Sequence, residues 1–248
     1  FSHGRLDRGS ALLLEQLERR NHTLEQQIAE RTAELVRLNE ALQQKAEENR
    51  QLAETDALTG AASRYRLERA IRPECERAKR FHQPFSVIAM DVDDFKQIND
   101  NHGHHAGDQT LSNIVALVRS HIREIDLIAR WGGDEFMVVL EALADNAADA
   151  AVQAQEVAQR IQAALRAPYM LGGEPWHATV SMGAAIFQAL GESVDDLLKR
   201  ADLAMYQAKA AGRDTLQFYD PRIQAVVHAR AALEAIACLL RPVLHQRD

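Results

Sequence analysis

Between residues 11 and 55 the chain has no glycine and no proline, and leucine and isoleucine recur there at heptad spacing. With both helix-breaking residues missing, nothing stops one helix from running through the whole stretch. The a positions fall on Leu14, Asn21, Ile28, Leu35, Leu42 and Asn49, and the d positions on Leu17, Leu24, Arg31, Leu38, Lys45 and Leu52. Eight of these twelve are Leu or Ile, which over about six heptads predicts a coiled coil. Asn21 and Asn49 at a positions favour a parallel, in-register homodimer at some expense in stability. Arg31 and Lys45 at d positions weaken the seam, which leaves the helix pair room for a second packing. A lone amphipathic helix lying on its own domain is the plainer alternative, but the apolar stripe is narrow for that role.

The globular part must therefore come from the remainder. With 46% hydrophobic and 26% charged residues among 248, there is material for one sizeable core plus extra segments. A net charge of −7 argues against a nucleic-acid partner, which needs a basic face. Cys75 and Cys238 are far apart and match neither a disulfide framework nor a metal-binding spacing, which fits a reducing cytosol. No apolar run approaches the roughly 18 residues of a membrane span. The chain starts FSHGRLDR, without Met. We expect a cytoplasmic protein or the cytosolic part of a larger sensor, with no direct membrane segment.

The expected organisation is a disordered, tag-like start over 1–10, the coiled-coil helix over 11–55, a globular domain over 56–219 and a C-terminal helix or linker over 220–248. In the globular part, RYRLERAIRPECERAKRFH reads as a helix and FSVIAMD (85–91) as a short apolar strand ending in acid. GDQTLSNIVALVRSHI (107–122) is a second helix, and IDLIARW and EFMVVLE form a hairpin around two glycines. An Ala-rich helix (146–165), a strand (176–187), a helix over 194–212 closed by Gly212 and a last strand, TLQFYD, follow. This order predicts an α+β fold close to the ferredoxin-like, split βαβ plan, with a central, mostly antiparallel sheet flanked by helices.

The chemistry gathers where strands break. MDVDDFKQIND puts Asp91, Asp93 and Asp94 where the first apolar run stops, and RWGGDEF puts Asp134 and Glu135 at a hairpin tip. If the strands are neighbours these carboxylates converge, and such a cluster repels itself unless cations fill it. Oxygen-only ligands suit Mg²⁺ or Mn²⁺. Gly132 and Gly133 would supply the positive φ of a tight turn and clear the backbone for a ligand. A solvated acidic turn beside an unrelated acidic loop is the plainer reading of spacing alone.

GGDEF at 132–136 resembles the signature of the diguanylate cyclases, the GGDEF family, which join two GTP into cyclic di-GMP and two pyrophosphates. DALTGAASR (56–64), DVDDFKQINDNHGHHAGD (91–108) and ADLAMYQAKAAGRD (201–214) resemble further blocks of that family, in its order, so the likeness covers about residues 54 to 219. It implies a palm-type nucleotide cyclase domain. It implies two Mg²⁺ (or Mn²⁺) ions per active site, held by Asp91, the Val92 carbonyl and Asp134, with Asp134 and Glu135 as the catalytic acids. It implies that Lys96, Lys209 and Arg213 meet the triphosphate, that Asn99 and Asp108 read guanine, and that Gly132 and Gly133 leave room for the nucleotide. On the predicted helix Lys209 and Arg213 are four residues apart and share a face. His102, His104 and His105 read as loop and surface residues rather than a zinc site.

Arg123 and Asp126 form an RxxD pair upstream of Gly132, where the family carries an inhibitory cyclic di-GMP site; Arg160 is a further candidate contact. The family binds one GTP per domain, so the implied enzyme is a homodimer. Two departures stand out: Trp131 replaces the usual Tyr, and Ser63 stands where Asn is common. The tail, FYDPRIQAVVHARAALEAIACLL, resembles the helix that leads into a cyclic di-GMP phosphodiesterase (EAL) domain. The alternative is a non-catalytic receptor for GTP or cyclic di-GMP, although receptors usually lose signature acids that this chain keeps.

Overall fold

The computed structural model describes residues 3–171, 174–188 and 191–244. The chain divides into two compact units, Phe1–Leu52 and Ala53–Asp248. In the first, α1 (His3–Leu52) is one helix of 50 residues, about 75 Å long at 1.5 Å per residue. Its leucine stripe is exposed, with Leu35 at 67% and Leu42 at 65%, so those side chains gain nothing from burial in the single chain.

The second unit is built on a mixed sheet. Its strands are β1 (Ala62–Ser63), β2 (Phe85–Val92), β3 (Leu127–Gly132), β4 (Glu135–Leu140), β7 (Val180–Phe187) and β8 (Leu216–Phe218). Their spatial order is β1-β3-β4-β2-β7-β8. The three central pairings are antiparallel, and the flanking pairings β1–β3 and β7–β8 are parallel. The helices are α2 (Arg64–Phe81), α3 (Phe95–His102), α4 (His104–His121), α5 (Ala147–Arg166), α6 (Val194–Ala210) and α7 (Pro221–Leu244). This is the palm-type α+β arrangement expected from the sequence.

Strand β2 sits at the centre and is buried at all eight positions, because helices cover both sheet faces. Phe85, Val87 and Ala89 point toward α2 and α6, packing on Leu67, Ile71, Leu197 and Ala201. Ile88, Met90 and Val92 point the other way, toward α4 and α5. Alternation along one strand thus feeds two cores, and its ends, where the apolar run stops, become places to put charge. Cys75 is buried in the α2 layer; burial pushes its thiol up to about 11, so it acts as an apolar packing group. The Cys238 side chain lies outside the described residues.

Several elements differ from the sequence reading. The long strand expected from 176 begins only at Val180, and Trp176 belongs instead to β6 (Glu174–Trp176), which pairs with β5 (Tyr169–Leu171) in a separate two-stranded sheet. Helix α3 buries one side chain, Ile98, so it left no periodicity to read. Helix α6 ends at Ala210, and Arg213 lies beyond it in a left-handed turn with φ 63°. Lys209 and Arg213 therefore do not share a helix face. Ser63 keeps a helix cap despite its departure from Asn, its Oγ accepting from the Arg66 amide. Among the described residues no helix is long and apolar enough to cross a membrane.

Candidate active site

The end of β2 is where the chain concentrates acid. In the ladder Asp91 stands opposite Glu135 of β4 on one side and Ser181 of β7 on the other. Like charges directly across a sheet repel, and Asp91 is also 6% exposed. Burial first, then the neighbouring charges of Asp134 and Glu135, push its carboxyl up to about 6, although the Lys209 ammonium pulls it down. Lys209 Nζ is 2.6 Å from Asp91 Oδ2. The Val92 amide donates to the Asp134 carbonyl at 3.3 Å, which joins the strand end to the hairpin tip. Asp91, Val92, Asp134, Glu135 and Lys209 thus lie together at this end of the sheet.

The hairpin itself is tight. Gly132 pairs with Glu135, leaving Gly133 and Asp134 as a two-residue turn, with a register shift at Trp131. Only Gly133 has positive φ, 53°, the pattern of a turn that takes glycine at its first central position. Gly132 needs no such freedom, which corrects the reading that both glycines serve the turn. A Cβ on Gly132 would meet nothing within 4 Å, so the fold leaves open space beside it.

Not every acid of the block joins the cluster. Asp93 is buried, and its carboxylate accepts from Ser181 Oγ at 2.6 Å, Thr179 Oγ1 at 2.8 Å and the Asp214 amide at 3.1 Å. Asp94 is exposed, in a left-handed conformation before α3, 3.8 Å from Arg213 Nε. Arg213 therefore reaches the neighbourhood of the strand end by the turn after α6 rather than along the helix. Lys96 is exposed on the first turn of α3. Asn99 lies against Gly107, where a Cβ would come within 2.0 Å of Asn99 Oδ1, and this close crossing of α3 and α4 sets Asn99 beside exposed Asp108.

A second group lies apart, between α4 and β3. Asp126 Oδ2 accepts from the Arg123 amide and Nε at 2.9 and 3.2 Å, and Oδ1 from the Glu141 amide at 3.1 Å. Arg123 Nη2 also donates to the Glu141 carbonyl at 2.6 Å. A cleft of about 300 Å³ beside this pair is lined by Arg66, Arg119 and Arg123. Arg160 instead reaches the His121 carbonyl, at 3.5 Å.

The sequence reading passed over Arg130, although it stands in RWGGDEF. Its Nε and Nη2 donate to the Gly133 carbonyl at 2.9 and 2.7 Å, and its Nη1 to both Asp56 oxygens at 3.2 and 3.3 Å. Burial alone would raise the Asp56 carboxyl, but the Thr59 hydroxyl and amide and the Arg130 guanidinium offset this and hold it below the ordinary carboxylate range. The available signal was a charged residue just before the turn of an otherwise apolar strand.

The donors at the strand end fit a hard divalent cation: all are oxygens, and burial beside like charges has raised one of them. Among the described residues no three His, Cys, Asp or Glu side chains gather closely enough to form a metal cluster by themselves. The expected set needs two carboxylates and a backbone carbonyl, and substrate phosphates supply further oxygens in sites of this kind.

Acids at a buried strand end facing a glycine–acid turn, on a mixed sheet between helices, place the chain in the palm-type α+β class. Residues 53–215 match the family described as diguanylate cyclase, GGDEF domain, and the chain belongs to that family. It is 37% identical over 193 residues to the diguanylate cyclase DgcP of Pseudomonas aeruginosa, covering 77% of this chain and 28% of that one. It is 33% identical over 202 residues to the cyclic di-GMP phosphodiesterase NbdA of the same organism, covering 80% and 25%. The chain thus spans about a quarter of these relatives' lengths. The coiled coil and GGDEF domain of DgcB from Caulobacter crescentus, solved with cyclic di-GMP, superposes with a TM-score of 0.60 at 28% identity, covering 79% of this chain and 98% of that one.

Proposed function

We infer that the chain is the cyclase part of a diguanylate cyclase, which condenses two GTP into cyclic di-GMP as a homodimer. The observation that carries this is the meeting of Asp91, Asp134 and Glu135 beside Lys209, next to the open space at Gly132. The 3′-hydroxyl of one GTP attacks the α-phosphorus of the other, the α–β phosphoanhydride bond breaks, and pyrophosphate leaves with its electron pair. Repeating the step in the opposite sense closes the ring and releases the second pyrophosphate. Asp91, Asp134 and the Val92 carbonyl hold Mg²⁺ or Mn²⁺, which when bound polarises the phosphate and favours the alkoxide. Glu135 takes part beside them. Lys96, Lys209 and Arg213 neutralise the triphosphate, and Asn99 and Asp108 select guanine through its N1–H and amine, since adenine offers a lone pair at N1.

One domain holds one GTP in this scheme, so two copies must face each other. The exposed leucine stripe of α1 supports pairing of two copies through a coiled coil, which raises the local concentration of the second domain to about millimolar. The arginine cleft at Arg123 is the product-inhibition site, with Arg160 as an outlying contact. Because Asp126 is already fully engaged with Arg123 and Glu141, the arginines rather than the acid would meet the ligand first.

The test is incubation with GTP and Mg²⁺, with cyclic di-GMP and pyrophosphate quantified, beside Asp134→Ala. We expect product from the parent chain and a loss of about a thousandfold or more in the variant, since metal-ion stabilisation is worth several kcal/mol. No product from either protein, with GTP or cyclic di-GMP still bound, would favour the receptor reading.

A further inference from the structure

We propose that Arg119 is a positioning residue for the signature turn, acting from the wall of the arginine cleft, and that a phosphodiester ligand in the cleft releases its hold. Only the ligand half of this rests on the product-inhibition reading; the positioning half stands on contacts within the chain.

A continuous run of hydrogen bonds leads from the cleft to the hairpin tip. Arg119 Nη2 donates to the Gly60 carbonyl at 2.5 Å, across from α4. The Gly60 amide donates to the Asp56 carbonyl, and the Asp56 amide to the Ala61 carbonyl, both at 2.8 Å, closing the turn on itself. Within it the Thr59 hydroxyl and amide fix Asp56 Oδ1 at 2.6 and 2.9 Å. Asp56 then holds Arg130, and Arg130 holds the Gly133 carbonyl. The next residue is Asp134, whose own carbonyl is tied to the Val92 amide. Arg119 thus sits at one end of a relay whose other end is the turn that carries the candidate metal ligand.

The relay has a built-in weak link. Arg119 is exposed, and its guanidinium holds a neutral carbonyl. Among the described residues neither Arg119 nor Arg66, its neighbour in the cleft, has a carboxylate ion-pair partner. A phosphodiester oxygen carries a full negative charge, which draws the Arg119 guanidinium more strongly than the dipole of the neutral Gly60 carbonyl does, and the planar guanidinium fork suits it. An anionic ligand among Arg66, Arg119 and Arg123 therefore outcompetes Gly60 for Arg119. The turn at 56–61 then keeps the Ser112–Leu58 contact at 3.3 Å but loses its second anchor on α4.

The experiment uses the full chain as Arg119→Ala, Arg119→Lys and, as a control on exposed α2 surface outside the cleft, Arg72→Ala. Hydrogen exchange of the Val92 amide is followed with and without cyclic di-GMP, alongside GTP kinetics. Arg119→Ala should speed Val92 exchange and lower kcat by about fivefold each, the worth of one ordinary hydrogen bond, with KM unchanged. Arg119→Lys should restore most of both, and Arg72→Ala should move neither. Saturating cyclic di-GMP should speed Val92 exchange in the parent chain to the level of ligand-free Arg119→Ala, and add nothing in that variant. Unchanged Val92 exchange in ligand-free Arg119→Ala overturns the positioning role whatever the ligand does. Cyclic di-GMP bound to the parent chain with Val92 exchange unmoved overturns the release. Absence of cyclic di-GMP binding overturns the inhibitory-site reading and the release with it, and leaves the positioning role to the ligand-free comparison.

Discussion

Asp91 and Asp93 stand two residues apart at the same strand end, and the fold treats them in opposite ways. Asp93 is surrounded by donors, two hydroxyls and an amide, from the segment before β8 and from the start of β7. Asp91 faces Glu135 across the ladder, with Asp134 nearby and one cation, Lys209, in contact. One flank of the strand end satisfies a charge from within the chain, and the other accumulates charge that the chain offsets incompletely. A site that must receive cations and phosphates needs the second kind of flank, and it needs the first kind to hold the strand end still.

The largest effect on stability should come from the satisfied side. Asp93→Ala leaves the Ser181 and Thr179 hydroxyls and the Asp214 amide without their acceptor, which should destabilise the domain by about 3 kcal/mol. Urea denaturation should show a lower midpoint with an unchanged slope. Asp91→Ala under the same conditions, with EDTA present, should be neutral or stabilising. Equal losses in the two variants would abolish the contrast.

A pH-dependent effect of the same order belongs to Asp91. The folded Asp91 carboxyl titrates at about 6, against 3.8 for its ordinary value. Above pH 6 it is ionised in both folded and unfolded chains, and its charge opposes folding. As the pH falls from about 6 to 4 the folded state takes up the proton first, so stability rises across that window, by up to about 3 kcal/mol. In EDTA, stability curves for the parent chain and Asp91→Asn should diverge there, the variant lacking the rise. Parallel curves would mean that Lys209 offsets the charge completely.

Much of this was legible in the sequence because it is written in periodicity and punctuation. The apolar run of β2, the paired glycines of the hairpin and the heptads of α1 each leave a pattern that local physics enforces. What stayed hidden depends on partners distant in sequence. Asp91 and Asp93 are indistinguishable as letters, and their fates are decided by Glu135, Ser181 and Asp214, which arrive only with sheet order. Arg130 was in plain view, but its purpose depends on Asp56, 74 residues away. Arg213 was assigned to a helix face because a periodic pattern does not announce where the last turn frays into a left-handed residue.

The smallest effect concerns the two neighbouring glycines, which looked equivalent in the sequence. Gly133 has φ 53°, where any other residue is strained, so Gly133→Ala should lower stability by about 1 kcal/mol. Gly132 has ordinary backbone geometry and open space around its missing side chain, so Gly132→Ala should change stability by less than about 0.5 kcal/mol. If that space is where the nucleotide approaches the backbone, the same methyl group should raise KM for GTP while thermal unfolding stays where it was. A Gly132→Ala chain with parental KM and unchanged stability would leave the first glycine of the signature without a role in nucleotide binding. One with lowered stability would return it to the turn, and the two glycines would again serve a single purpose.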